Sequence, residues 1–164
     1  MITHYSNLLH QTWFGLAVGG HVPWLGPVFE TLHFVGMALL VGCAGVIDLR
    51  LLGVGRSLPL APLRQLLPWG VLGFVINVMT GIGFYAGNPA QYQTWAFAAK
   101  MLFVVLAGVN AMWFYLSPLG READRLGPGE DAPPAAKLAA AMSLLLWLGV
   151  IFWGRMLRSF SDTF

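Results

Sequence analysis

The stretch FETLHFVGMALLVG, residues 29–42, lies inside an apolar run that is long enough to cross a lipid bilayer. About 20 predominantly apolar residues in a helix are needed to cross the hydrocarbon core. The run contains a carboxylate, Glu30, and an imidazole, His33, near its start, and Asp48 and Arg50 close it. Ionisable groups are costly in hydrocarbon, so each of them needs a structural or functional reason. Because Glu30 and His33 are three residues apart, a helix places them on one face.

Composition indicates an integral membrane protein. Of the 164 residues, 57% are hydrophobic and 10% are charged, whereas a soluble domain carries about 25% charged residues. The net charge of +2 comes without a basic cluster, so the expected partner is the lipid bilayer and no nucleic acid. The single cysteine, Cys43, excludes a disulfide framework and a cysteine-based zinc site within one chain.

Hydropathy predicts four spans, over residues 27–50, 67–87, 94–116 and 135–156. Residues 5–19 are too short and too polar to span, and we expect a short interfacial helix there. Short connections favour antiparallel packing of sequential helices. The predicted fold class is therefore an all-α integral membrane protein, a four-transmembrane-helix up-down bundle with an N-terminal interfacial helix, forming one membrane domain over residues 1–164.

Small and amide residues predict where the helices pack. Ala38 and Gly42 form a small-xxx-small pair on the first span, and Gly73, Asn77 and Gly81 recur every four residues on the second. Asn77 and Asn110 are expected at similar depth, which favours an amide hydrogen bond between their helices. Asp48 and Arg50 are expected to pair with each other, with a neighbour or with lipid headgroups.

The distribution of basic residues predicts the orientation. Lys and Arg concentrate in cytoplasmic loops, and the loops after the first and third spans carry six of them against two in the C-terminal tail. The six are Arg50, Arg56, Arg64, Arg121, Arg125 and Lys137. The two in the tail are Arg155 and Arg158. We therefore expect residues 51–66 and 118–134 in the cytoplasm and both termini outside, in a bacterial inner membrane.

A polar pocket is predicted in the outer half of the bundle. His33 and Lys100 each lie about six residues inside the outer end of their spans, which corresponds to a depth of about 9 Å for both. Together with Glu30 and Arg155 they would form one pocket. The alternative is that Lys100 extends to the interface and that His33 bonds a backbone carbonyl.

Two cofactors fit this pocket. Haem b in a membrane bundle usually takes axial histidines from two helices. His4, His10 and His21 lie outside the spans, so a second histidine is not available within the bundle. Ligation by His33 alone remains, or by His33 with Lys100 or Met37 as an unusual second ligand. Copper is the alternative, because Met37 follows His33 by one turn and imidazole and thioether ligands suit Cu(I). The candidate cofactor-binding residues are His33, Lys100, Met37 and Glu30, with His33 as the metal ligand.

Three segments resemble known families. Thr31-Leu32-His33-Phe34-Val35-Gly36, Leu67-Pro68 with the glycine-rich stretch to Thr80-Gly81, and Trp95-Ala96-Phe97-Ala98-Ala99-Lys100-Met101-Leu102 resemble HemJ-type protoporphyrinogen oxidases and the membrane domain of CopD copper-resistance proteins. DLRLLG, residues 48–53, is similar to a segment of a family of small bacterial membrane proteins. The resemblance covers about residues 28–115, and it implies that His33 ligates haem or lies near it and that Lys100 is a functional partner.

Three functions remain open from the sequence. The first is a haem-b-binding, redox-linked membrane protein that takes part in electron transfer, alone or as a subunit of a larger complex. The second is an accessory structural subunit without a cofactor, which packs against copies of itself or against other membrane subunits. The third is the handling of copper, protons or a small solute. No nucleophile–base pair, phosphate loop or redox thiol pair is apparent, so no enzymatic activity is assigned.

Overall fold

Four long helices dominate the protein's structure, a computed structural model that describes Leu8 and residues 10–161. They are α1 (Leu25–Leu51), α2 (Leu67–Gly87), α3 (Trp95–Leu116) and α4 (Pro134–Ser161). Each is long and apolar enough to cross a membrane. Short helical segments precede and connect them, at Trp13–Leu16, Ala17–His21, Leu60–Leu63, Arg64–Leu66, Pro89–Tyr92 and Pro118–Asp124. Because the described residues contain no strand, the prediction of an all-α chain with four long apolar helices is confirmed.

Local sequence signals set the helix starts. Thr94 caps α3, because its hydroxyl accepts a hydrogen bond from the backbone N–H of Phe97 at 3.4 Å. Pro68 lies in the first turn of α2 and Pro134 is the first residue of α4. Proline is tolerated there because the first N–H groups of a helix have no partner within it.

Glycine contacts show that α1 and α2 are antiparallel. The ring of Phe29 occupies the space that a side chain at residue 83 would need, while Cys43 lies against Gly70. Between these two contacts the backbones touch, since a Cβ atom on Gly73 would stand 2.5 Å from the carbonyl oxygen of Gly36. Such close approach of backbones is typical of small residues at helix interfaces in membrane proteins.

Helices α3 and α4 are also antiparallel. The Lys100 side chain packs against Gly154, and the ring of Phe103 lies on Gly149. Further along, Asn110 Nδ2 donates to the carbonyl oxygen of Ala139 at 3.0 Å. One end of the bundle is therefore formed by the starts of α1 and α3 and the ends of α2 and α4, and we call it the His33 end. The opposite end is the Arg50 end.

The four helices form an open arrangement. Helix α1 packs on both α2 and α4, and α3 packs on α4, but α2 and α3 are not packed along each other. The prediction that all sequential helices are neighbours is therefore wrong for this pair. The two helices meet only near their connection, where the rings of Tyr85, Tyr92 and Phe97 lie 5.5 to 6.3 Å apart, centroid to centroid.

The best-packed core lies at the Arg50 end. It contains nine buried apolar residues, namely Ile47, Leu51, Leu60, Phe114, Ala123, Ala132, Ala136, Ala139 and Ala140. The short helices Leu60–Leu63 and Pro118–Asp124 contribute to it, so the two connecting loops are part of the folded core. Ion pairs of Arg64 with Asp124 and of Asp131 with Arg56 and Lys137 surround it.

Two predicted contacts do not form. Gly42 and Ala38 are exposed, so the close contact of α1 is made by Gly36 instead. The amide pair is absent too, because Asn77 Nδ2 donates to Gly73 of its own helix at 2.9 Å and Asn110 bonds α4. In both cases the spacing was correct for a helix, but it did not determine which face turns inward.

The described part of the N-terminal segment packs on the bundle. Gly15, Ala17 and Val18 are buried, and Gly19 lies against Gly87 at the end of α2. Trp13 on the same segment is 80% exposed, as a residue at a membrane interface would be. Residues 5–7 and 9 of the predicted interfacial helix lie outside the described residues.

Candidate functional site

His33 on α1 contacts a hydroxyl group of α2. Its Nδ1 lies 2.7 Å from Thr80 Oγ1. Thr80 Oγ1 also lies 2.7 Å from the carbonyl oxygen of Ile76, and a hydroxyl that donates to this carbonyl accepts the proton of Nδ1. In this tautomer the other ring nitrogen, Nε2, carries a lone pair that can bind a metal ion or accept a proton.

Aromatic rings surround this imidazole. Phe84 meets the His33 ring edge-on at 5.5 Å between centroids. Phe29 lies 6.3 Å from Phe84, and Phe14 of the N-terminal segment lies 6.1 Å from Phe29. The half-buried His33 side chain thus stands at the edge of an apolar wall that limits the access of water.

Lys100 lies at the same end of the bundle. Its side chain is half-buried, and its hydrocarbon stem packs on Gly154, where the absence of a side chain leaves room for it. Within Leu8 and residues 10–161, no hydrogen bond or ion pair satisfies its Nζ, so the ammonium is available to a ligand.

The other predicted site residues are less closely tied to His33. Met37 is half-buried one turn further along α1, whereas the side chains of Glu30 and Arg155 are exposed. The part of the chain that the structure describes contains no group of three or more His, Cys, Asp or Glu side chains able to hold a metal ion together. The structure therefore places His33 and Lys100 at the same end of the bundle, half-buried, while Glu30 and Arg155 are exposed.

Two side chains at this end were not expected from the sequence. Thr80 was noted only as part of a glycine-rich stretch, although a hydroxyl within a span is itself a signal for an interhelical hydrogen bond. His10 was placed outside the bundle, yet its Nδ1 donates to the carbonyl oxygen of Ala86 at 3.1 Å. Ala86 is in the last turn of α2, so His10 satisfies a carbonyl that has no partner within the helix.

A separate cavity of about 420 Å³ lies nearer the Arg50 end, between α2 and α3. All four helices line it, mostly with apolar side chains, and Asp48, Asn110, Tyr115 and Ser143 are its polar residues. The Ser143 hydroxyl bonds the Asp48 carboxylate. Asp48 Oδ2 has no hydrogen-bond partner and is buried.

Of the partners expected for Asp48 and Arg50, the structure shows neighbouring groups. Among the described residues, no ion pair joins them or ties either to another charge. Arg50 is 1% exposed, so it does not reach lipid headgroups. Its guanidinium instead donates to the carbonyl oxygens of Leu58, Gly127 and Glu130 at 2.6, 3.1 and 3.3 Å. Arg50 therefore stabilises the two loops, while Asp48 lines the cavity.

Comparison of the chain with protein-family models, with curated proteins and with solved structures finds no match.

Proposed function

We propose that this protein is a redox-linked integral membrane protein that binds haem b through His33. The observation that carries the proposal is the hydrogen bond from His33 Nδ1 to Thr80, which leaves Nε2 as an oriented lone pair. Histidines that ligate metals commonly donate their second ring N–H to a neighbouring group, which fixes the ring and raises its basicity.

The donor set fits a porphyrin better than a bare ion. A bare metal ion needs several protein ligands, and the described residues offer no group of three His, Cys, Asp or Glu side chains. Haem brings nitrogen ligands of its own, so a single imidazole from the protein, that of His33, would suffice to hold it. Met37, half-buried one turn further along α1, would line the site.

Each residue then has a distinct role. His33 would bind the iron, and Thr80 would orient the imidazole. The Lys100 ammonium, which has no partner among the described residues, would pair with a propionate of the porphyrin. The Phe29 and Phe84 rings would exclude water from the iron. When bound, haem supplies one-electron chemistry at its iron, which is why the proposal is a redox-linked role.

An absorption spectrum of the purified protein tests this proposal. We expect a Soret band that His33→Gln abolishes, because an amide cannot replace the imidazole nitrogen. Lys100→Met keeps the stem and removes the charge, so it should weaken haem retention or shift the spectrum. His10→Gln is the matched control, because His10 donates to a helix carbonyl and its replacement should leave the spectrum unchanged.

Two outcomes would contradict the proposal. If the protein is folded but stays colourless even after reconstitution with haemin, haem is ruled out as its cofactor and the accessory-subunit role is favoured. A Soret band that persists in His33→Gln would show that a residue other than His33 ligates the iron. Metal analysis of the same preparation addresses copper, which would appear as a stoichiometric ion without a Soret band.

A further inference from the structure

The cavity between α2 and α3 combines an apolar lining with one unsatisfied charge. Asp48 is 8% exposed, and its Oδ2 has no partner. A buried carboxylate oxygen without a partner is costly, and the cost is offset when a donor or a cation meets it. The cavity volume of about 420 Å³ lies within the range of roughly 300–1,000 Å³ found for small-molecule sites.

We propose that this cavity binds a membrane-soluble primary amine, with its apolar chain against α2 and α3 and its ammonium on Asp48 Oδ2. The site is distinct from the proposed haem site, because its residues lie toward the Arg50 end. Access is provided by the packing of the helices: α2 and α3 both line the cavity but are not packed along each other. An amphiphile can therefore enter between them from the lipid side.

The polar residues of the cavity select the head group. Asp48 contributes an acceptor, and Asn110, whose Nδ2 bonds the carbonyl oxygen of Ala139, adds an amide to the lining. The Ser143 hydroxyl is engaged with the same carboxylate. A head group that brings several donors and a positive charge satisfies these acceptors, whereas a carboxylate head would be repelled by Asp48. An alcohol can supply one donor but no charge, so it should bind more weakly.

Fluorescence quenching by brominated probes tests the site. Trp147 lines the cavity, so quenching of its fluorescence reports binding there. The part of the total quenching that is lost in Trp147→Phe is the part due to this residue. The probes are bromododecylamine, bromododecanol and bromododecane, added to the full-length protein in vesicles of zwitterionic lipid. We expect saturable quenching of Trp147 by the amine at a concentration about tenfold or more below that needed for the alcohol, the factor associated with a hydrogen bond to a charged group.

Two variants separate the head group from the cavity. Asp48→Asn keeps the shape and should weaken the amine about tenfold while leaving the alcohol unchanged. Gly108→Leu fills the cavity, because Gly108 lines it and has open space around it, and it should abolish saturable quenching by every probe. Gly42→Leu is the matched control, since Gly42 also has open space but does not line the cavity.

The proposal fails if the three probes quench Trp147 equally, because the carboxylate would then contribute nothing. It also fails if Asp48→Asn leaves the affinity for the amine unchanged, or if Gly108→Leu behaves like Gly42→Leu. Should Asp48→Asn not fold, the comparison of the probes on the native protein and the two glycine variants still decide the question.

Discussion

At the scale of single residues, Arg50 shows how a buried charge can serve structure alone. Its side chain is almost fully buried, and it bridges carbonyl groups from the loop after α1 and the loop after α3. Arginine can do this because its planar fork presents several donors in fixed directions, whereas a lysine ammonium is a point charge.

Replacing Arg50 should therefore destabilise the protein. We expect Arg50→Met to lower the free energy of unfolding by roughly 2–4 kcal/mol, because buried carbonyls lose charge-assisted donors. Arg50→Lys should recover only part of this loss. Denaturant unfolding in detergent measures both, and Arg121→Met, at an exposed position, should change stability by no more than about 0.5 kcal/mol. Equal effects of Arg50→Met and Arg121→Met would refute the structural role of Arg50.

Thr80 offers a second test at this scale. Thr80→Val keeps the side-chain shape but removes the acceptor for His33 Nδ1. If His33 ligates haem, we expect haem affinity to fall about 10- to 100-fold, as found for partners that orient metal ligands. Haem titration of the apoprotein provides the measurement. An unchanged affinity, with the protein still folded, would show that Thr80 does not prepare the imidazole for ligation.

Sequence reasoning selected His33 and Lys100 for a sound reason, since ionisable groups inside spans are costly. It did not identify Thr80, because a hydroxyl carries no such cost and its value depends on which residue faces it. The same limit applies to Asp48, for which the sequence left three partners open: Arg50, a neighbouring residue or a lipid headgroup. Only the packing of four helices shows that its carboxylate faces a cavity.

At the scale of elements, the contact between α1 and α2 depends on two glycines. Gly73→Ala would place a methyl group 2.5 Å from the carbonyl oxygen of Gly36, so the helices would have to separate. We expect a loss of about 1–3 kcal/mol, the usual cost of overpacking. Gly42→Ala and Gly81→Ala meet nothing within 4 Å and should be neutral or stabilising by up to about 1 kcal/mol through helix propensity. Melting temperatures of the three variants in detergent distinguish the sites, and a harmless Gly73→Ala would contradict the observed contact.

The long helices lie close to the predicted spans because an apolar run flanked by proline, glycine and charge leaves little choice of structure. The way in which the helices pack on each other was harder to predict from the sequence. The short connection between α2 and α3 predicted neighbours, but these helices meet only at the rings of Tyr85, Tyr92 and Phe97 and do not pack along each other. Loop length limits how far apart two helix ends can be, and it does not compel the helices to pack.

At the scale of the whole molecule, the ion pairs and the buried core both distinguish one end of the bundle from the other. The Arg50 end holds the ion pairs of Arg56, Arg64, Asp124, Asp131 and Lys137 and the main core. The orientation proposed from the basic residues places this end in the cytoplasm. Cysteines introduced at the exposed positions Arg56 and Glu122, in a Cys43→Ser background, should react with an impermeant reagent only after the membrane is opened. Labelling of these cysteines in intact cells would show that the orientation is the opposite one.

Asp131 makes the stability of the Arg50 end depend on pH. The hydrogen bond from Lys137 holds the pKa of Asp131 below its usual value, with the Arg56 guanidinium acting in the same direction. A lowered carboxyl pKa stabilises the folded state above the unfolded pKa, and this contribution is lost as the pH falls through the folded value. We expect the melting temperature to fall on acidification, with a slightly smaller fall in Asp131→Asn, since the site is exposed. Identical curves would show that the pair contributes nothing.

The open arrangement of the helices also has a consequence for how the protein is made. Since α1 pairs with α2 and α3 with α4, each half of the chain is a helical hairpin whose partners are adjacent in sequence. Contacts between near neighbours form quickly, and helices in a bilayer can be inserted before they associate. We therefore expect the first hairpin to form while the second is still being synthesised, and the seam between α1 and α4, with Asp48 beside Ser143, to close last.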